Sequence, residues 1–101
     1  MIYSFIDNDK SKVLRIDGEL DALSCPELRP TLDVLARGRN HKITVDLSQL
    51  RHLDSSGVGA LVSLYKSARA GGGSVRFVGV ANQPLRIFKL LRLEHVFNLA
   101  A

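Results

Sequence analysis

The sequence predicts a single α/β domain over residues 1–101. Short apolar stretches with strand character alternate with amphipathic stretches of helical periodicity, and glycine or proline marks most of the junctions between them. Strands that are separated by helices pair at least partly in parallel, because a parallel pair needs a long crossover connection. The length suits one domain with one hydrophobic core.

The N-terminal segment predicts a pair of short strands. Residues 2–6 and 12–17 are the two candidates, and they flank Asp-Asn-Asp at 7–9, which favours a turn. Gly-Glu-Leu-Asp at 18–21 is then expected to form a loop that leads to the first helix.

The first helix is predicted to begin at Ser24, because Glu27 lies three residues later, at the spacing of a capping box. Pro26 lies in the first turn, where its missing N–H has little effect. The helix is expected to end at Gly38. Its apolar stripe is formed by Leu28, Leu32 and Leu35.

A buried strand at 43–47 precedes the second helix, which begins near Ser55 and stops at the triple glycine 71–73. Serine is a good N-cap, so Ser55 is a candidate for that role. The residues expected to face inward are Val58, Leu61, Val62, Tyr65 and Ala68.

The C-terminal part predicts a strand at 75–80, a third helix that starts with Asn82 and Pro84, and a short apolar segment at 93–101. On this third helix the residues expected to point inward are Leu85, Phe88 and Leu91.

Composition excludes several classes of protein. Cys25 is the single cysteine, so no internal disulfide is possible and a reducing compartment is expected. The N-terminus has no signal-peptide pattern, and the apolar stretches are too short for a membrane span, so we expect a cytoplasmic protein without a membrane partner. No metal is expected, since the histidines lack ligand spacing to the cysteine or to one another. They are His41, His52 and His95.

The formal net charge of +4 raises the question of nucleic-acid binding. The densest basic segment, residues 37–42, has no interleaved aromatic side chains and matches no nucleic-acid-binding motif. We therefore expect a solvated loop there and no nucleic-acid partner. An ordinary core and no exposed heptad pattern favour a monomer.

Known catalytic motifs are not matched. The run 54–59 is not the Gly-x-Ser-x-Gly nucleophile elbow, and Val62 stands where a dinucleotide-binding loop needs its third glycine. The chain also lacks a Gly-Lys-Ser/Thr phosphate loop. The sequence therefore predicts no enzyme activity, no catalytic residue and no cofactor.

Asp-Ser-Ser-Gly-Val-Gly at 54–59 is the most informative run of the chain. A helix N-terminus has unsatisfied N–H groups and a partial positive charge, so it suits an anion or a serine that acquires a phosphate. The two glycines are expected to keep the surface flat enough for another protein to approach. From the residues alone, Ser55 and Ser56 could instead be structural hydroxyls, and Asp54 could simply favour the positive helix end.

Residues 43–61 resemble the central stretch of the STAS domain, and most closely that of the bacterial anti-sigma factor antagonists. Further agreement, in order and spacing, comes from Gly-Glu-Leu-Asp at 18–21, Gly-Gly at 72–73 before a strand, and the helix 84–91 leading to Leu93. The resemblance implies a STAS fold with a four-stranded, mostly parallel or mixed sheet and helices packed mainly on one face.

The resemblance also implies a phosphorylation switch at Ser55. In that family an anti-sigma factor with serine kinase activity phosphorylates the serine directly after the aspartate, and a PP2C-type phosphatase removes the phosphate. The unphosphorylated antagonist captures the anti-sigma factor and frees a sigma factor or feeds another output. The implied partner-binding residues are Asp21, Asp54, Ser55, Ser56, Gly57 and Val58.

Two points from the resemblance stay open. A STAS domain can instead be a constitutive subunit that binds the ATPase of a lipid-transport ABC system without a phosphorylation cycle. The chain also departs from the family at Arg92, where relatives usually have a glycine before the leucine matched by Leu93. A left-handed helix end at Arg92 would cost about 1 kcal/mol relative to glycine.

Overall fold

The computed structural model describes residues 2–9 and 11–99, which form a five-stranded mixed sheet and three helices. The strands and helices follow one another along the chain much as the hydrophobic periodicity predicts. In chain order they are β1 (Ile2–Asn8), β2 (Ser11–Leu20), α1 (Cys25–Ala36), β3 (Lys42–Asp46), β4 (Leu50–Leu53), α2 (Ser55–Ala70), β5 (Ser74–Val78) and α3 (Asn82–Leu90).

The sheet has the order β1-β2-β3-β5, with β1 antiparallel to β2 and the other neighbours parallel. The expected count of four strands is wrong by one, because β4 pairs in parallel with the C-terminal end of β2. The register of β2 shifts between Gly18 and Glu19, and Gly18 has a φ of 87°, which glycine adopts without strain. This irregularity lets β2 continue past β3, so residues 18–20 are strand where a loop was expected.

The core lies on one face of the sheet. Leu14, Val45 and Phe77 are aligned across β2, β3 and β5 and are buried, as expected of alternate residues that point to the same face. Their strand neighbours Arg15 and Arg76 are exposed on the opposite face. All three helices contribute side chains to this single core, which confirms that helices pack on one face.

Helix α2 packs against the sheet through Leu61, which is fully buried as predicted. The predicted stripe omits Leu64, which is also buried one turn further along. None of the helices in residues 2–9 and 11–99 is long and apolar enough to cross a membrane.

The end of α3 differs from the expectation that Leu91 points inward. The helix ends at Leu90, and Leu91 is 53% exposed because it already belongs to the turn. Arg92 has a φ of 58°, in the left-handed region where a glycine would be less strained by about 1 kcal/mol. Beyond this turn Phe97 is buried, with its ring centroid 4.4 Å from that of Phe77, so the C-terminal segment completes the core. Residues 100–101 lie outside the described part of the chain.

Candidate functional site

Helix α2 is capped by Asp54 and not by Ser55, so the prediction of a Ser55 cap is wrong. Asp54 has extended backbone, and its Oδ1 accepts a hydrogen bond from the Gly57 N–H at 2.9 Å. The Val58 N–H donates to the Asp54 carbonyl oxygen at 2.9 Å and closes the first turn. The carboxylate one residue earlier therefore takes the capping role and leaves Ser55 as the first residue of the helix.

Ser55 and Ser56 are both exposed at this helix start. Within residues 2–9 and 11–99, no hydrogen bond uses their hydroxyls or their backbone N–H groups. Free N–H groups in the first turn of a helix, together with the helix dipole, favour a negative charge. The turn thus offers an unengaged hydroxyl and the groups that would hold an anion beside it.

Gly57 and Val58 lie beneath this surface. Val58 is only 7% exposed. A Cβ on Gly57 would collide with the carbonyl oxygen of Leu20 and lie 2.6 Å from Leu53 Cδ1. Gly57 therefore allows α2 to pack closely on β2, and the idea that it flattens a docking surface is wrong. Gly59, by contrast, faces open space.

The segment before α1 forms a second, hydrogen-bonded turn. Asp21 Oδ1 accepts from the backbone N–H of Ser24 at 2.9 Å and of Leu23 at 3.1 Å. The hydrogen bond from the Ser24 backbone is the main reason that the pKa of Asp21 is lowered from its ordinary value. Ser24 Oγ accepts from the Asp21 N–H and donates to the Glu19 carbonyl oxygen, both at 2.9 Å.

These contacts explain why the predicted capping box of Ser24 and Glu27 is wrong. Ser24 is the residue that precedes α1, but its hydroxyl makes no cap hydrogen bond to the helix. The hydroxyl is already engaged by Asp21 and Glu19, so it turns back toward the end of β2.

Asp54 joins the two turns. Its second carboxylate oxygen, Oδ2, accepts from the Ala22 N–H at 3.1 Å, and its own N–H donates to the Leu20 carbonyl oxygen at 3.3 Å. One side chain thus serves both helix starts and brings Asp21, Ser55 and Ser56 onto one end of the sheet.

Sequence reasoning missed two residues of this site. Gln83 of α3 donates to the Leu53 carbonyl oxygen at 2.9 Å and accepts from the Leu53 N–H at 2.8 Å, which positions the chain directly before Asp54. Leu23, between Asp21 and Ser24, is 92% exposed. An apolar residue inside a polar turn was the available signal for Leu23, whereas the contact of Gln83 spans 30 residues and has no local signal.

The fold and this pair of turns define a small α/β module with an exposed serine at a helix start. The family model described as "Mlab, STAS domain" matches residues 5–100, and the chain therefore belongs to the STAS-domain family. The resemblance found in the sequence is confirmed.

Within this family, the chain is similar to several proteins named as anti-sigma factor antagonists. The anti-sigma-B factor antagonist of Bacillus subtilis (strain 168) is 28% identical over 94 residues, which cover 93% of this chain and 85% of that protein. The crystal structure of an anti-sigma factor antagonist from Mycobacterium paratuberculosis is 26% identical with a TM-score of 0.74, covering 95% of this chain and 81% of that one. A putative anti-sigma factor antagonist from Thermotoga maritima has the same fold, with a TM-score of 0.82 at 23% identity and coverage of 93% and 81%.

Proposed function

We propose that this protein is an anti-sigma factor antagonist, a regulatory binding module and not an enzyme, whose binding is controlled by phosphorylation of Ser55. The observation that carries the proposal is the exposed hydroxyl of Ser55 at the start of α2, which makes no hydrogen bond within residues 2–9 and 11–99. The names of relatives that align over nearly the whole chain support the class of protein.

The proposed cycle has two partners in the cytoplasm. An anti-sigma factor with serine kinase activity binds the unmodified protein, releases its sigma factor or another output, and phosphorylates Ser55 with ATP. A PP2C-type phosphatase removes the phosphate and returns the protein to the binding form. The proposed contact surface consists of Asp21, Asp54, Ser55 and Ser56, with Gly57 and Val58 supporting the turn from inside.

Phosphorylation would act mainly on the interface and little on the fold. A phosphate adds a charge of about −1.5 to −2 at neutral pH. The free N–H groups of Ser55 and Ser56 can accommodate that charge within the domain. A partner packed over the turn would instead have to desolvate the phosphate next to the carboxylates of Asp21 and Asp54, which is unfavourable.

The assignment of Ser55 is tested by phosphorylation in vitro. Each anti-sigma factor kinase encoded in the source genome is purified and incubated with this protein and ATP, and the modified residue is located by mass spectrometry. We expect phosphate on Ser55, its loss in Ser55→Ala, and its retention in the matched control Ser56→Ala. Phosphate found chiefly on Ser56, or on a distant exposed serine such as Ser67, would falsify the assignment.

A second candidate function is retained because the description of the matching family model, "Mlab, STAS domain", does not mention anti-sigma factor antagonists. In this alternative the protein is a constitutive STAS subunit that binds the ATPase of a lipid-transport ABC system. Affinity purification with the unmodified protein distinguishes the two, since the alternative expects co-purification of an ABC ATPase that is independent of Ser55.

A further inference from the structure

Leu23 is the most exposed of the large hydrophobic side chains in the described part of the chain, at 92%. It lies in the turn before α1, two residues from Asp21 and one residue from Ala22, whose N–H bonds to Asp54. A fully hydrated leucine contributes nothing to the core. Its side chain is therefore available to contact a partner that covers the Ser55 turn.

The turn holds Leu23 in place before any partner arrives. The Leu23 N–H donates to Asp21 Oδ1, and the N–H groups on either side of it donate to carboxylates of Asp21 and Asp54. A side chain on an ordered turn loses less conformational freedom on binding than one on a mobile loop. An aliphatic side chain that fills a pocket of the partner can serve as the buried anchor of an interface.

The surroundings of Leu23 indicate the chemistry of the surface it would meet. With Ser24 and the carboxylates of Glu19, Asp21 and Glu27 it lines an open depression of about 330 Å³. Every charged side chain of this lining is acidic, although the whole chain has a net charge of +4. Such a local reversal of charge favours a partner whose facing surface is basic.

We propose that Leu23 is the apolar anchor of the interface with the anti-sigma factor kinase. The side chain inserts into an apolar pocket of that partner, and lysine or arginine side chains around the pocket face Glu19 and Glu27 in the depression, which Ser55 does not line. This inference rests on the proposed function and adds to it the residue and the partner chemistry that provide affinity. Because Asp54 holds the Leu23 turn and also caps the helix that begins with Ser55, the anchor and the phosphorylated residue belong to one surface.

The test compares Leu23→Ser with Leu90→Ser, a matched change at another exposed leucine, on α3 and 77% exposed. Affinity for each purified anti-sigma factor kinase of the source genome is measured by calorimetry. We expect Leu23→Ser to weaken binding about ten- to hundredfold and Leu90→Ser to leave it unchanged. Thermal unfolding of both variants should match the unmodified protein, since neither side chain is buried.

A second pair of variants tests the acidic rim. Glu19→Gln/Glu27→Gln should weaken binding and reduce its dependence on salt concentration, whereas the control Asp9→Asn/Asp33→Asn, which removes two exposed carboxylates elsewhere, should change neither.

The outcomes separate the inference from the proposed function. If the unmodified protein binds a kinase and Leu23→Ser binds equally well, the anchor is wrong while the antagonist function stands. If the unmodified protein binds none of the kinases, both are overturned.

Discussion

The two helix starts at the site look alike in sequence and differ in what they leave available. Before α1, the Ser24 hydroxyl bonds to two backbone groups, and the Asp21 carboxylate is used within the same turn. Before α2, Asp54 provides the cap, and the Ser55 hydroxyl makes no hydrogen bond to any residue that the structure describes. A serine at a helix start is thus available for modification when a neighbouring carboxylate has taken over the capping.

The backbone N–H groups of the two first turns show the same difference. In α1 the Cys25 N–H donates to the Asp21 carbonyl oxygen, the Glu27 N–H donates to the Ser24 carbonyl oxygen, and Pro26 has no N–H. In α2 the first two N–H groups have no partner within the described residues. The first turn of α1 therefore has no spare N–H group for an anion, whereas the first turn of α2 has two within the described residues. The dipole of each helix places a partial positive charge at its start.

The largest expected effect is on partner binding, and it belongs only to the α2 start. Phosphate on Ser55 should weaken binding of the anti-sigma factor kinase several-hundredfold, equivalent to about 3–4 kcal/mol. Ser55→Ala should bind constitutively, and Ser55→Asp should bind at an intermediate level because a carboxylate carries less charge than phosphate. Calorimetry measures the affinity of each form for the kinase. Equal affinity of the unmodified and phosphorylated proteins would contradict the electrostatic switch.

The next largest effect is on stability, and it tests the close packing of Gly57 beneath the start of α2. Gly57→Ala should destabilise the fold by about 1–3 kcal/mol despite the better helix propensity of alanine, because the new methyl group meets the backbone of Leu20. Gly59→Ala, two residues away and facing open space, should be neutral or stabilising by up to about 1 kcal/mol. Urea denaturation compares the two; similar effects would mean that α2 does not pack on β2 as described.

A smaller effect on stability distinguishes the hydroxyl of Ser24 from that of Ser55. Ser24→Ala should cost about 1 kcal/mol of unfolding free energy, since it leaves the Asp21 N–H and the Glu19 carbonyl oxygen without their partner. Ser55→Ala should change stability by less than about 0.5 kcal/mol, as for an exposed residue whose hydroxyl makes no hydrogen bond within the described part of the chain. Urea denaturation measures the free energy of unfolding of both variants. Equal losses of stability would contradict the different roles assigned to the two hydroxyls.

The smallest effect is the pH dependence of the α1 turn. Hydrogen bonds that Asp21 accepts from Ser24 lower its pKa, so the folded protein binds its proton less readily than the unfolded chain. The resulting stabilisation is complete above the ordinary carboxyl pKa of about 3.9 and is lost as the pH falls through the lower folded value. An NMR titration of the Asp21 carboxyl carbon should give a midpoint below 3.9, and Ser24→Ala, which keeps the backbone N–H, should raise it only in part. A midpoint at or above the ordinary value would show that the turn does not form in solution.

Local patterns were sufficient to predict much of this site. The position of Ser55 at a helix start, next to a carboxylate and after a buried strand, follows from periodicity and from residue types within a few positions. The identity of the cap did not follow. Asp54 and Ser55 are both good caps by propensity, and the choice depends on the Ala22 N–H, 32 residues away, which also bonds to the Asp54 carboxylate.

By itself the sequence determined the α/β class and the order of the main strands and helices, because hydrophobic periodicity and turn residues act over short distances along the chain. The family followed from the resemblance of residues 43–61 to the STAS domain, which the family model confirms. Tertiary structure alone decided the fifth strand, the inward packing of Gly57, the use of the Ser24 hydroxyl and the exposure of Leu23. Each of these depends on a backbone group or surface supplied by a distant element, the end of β2 above all. Which polar group finds a partner, and which stays free, is set only when the sheet has brought the two turns together.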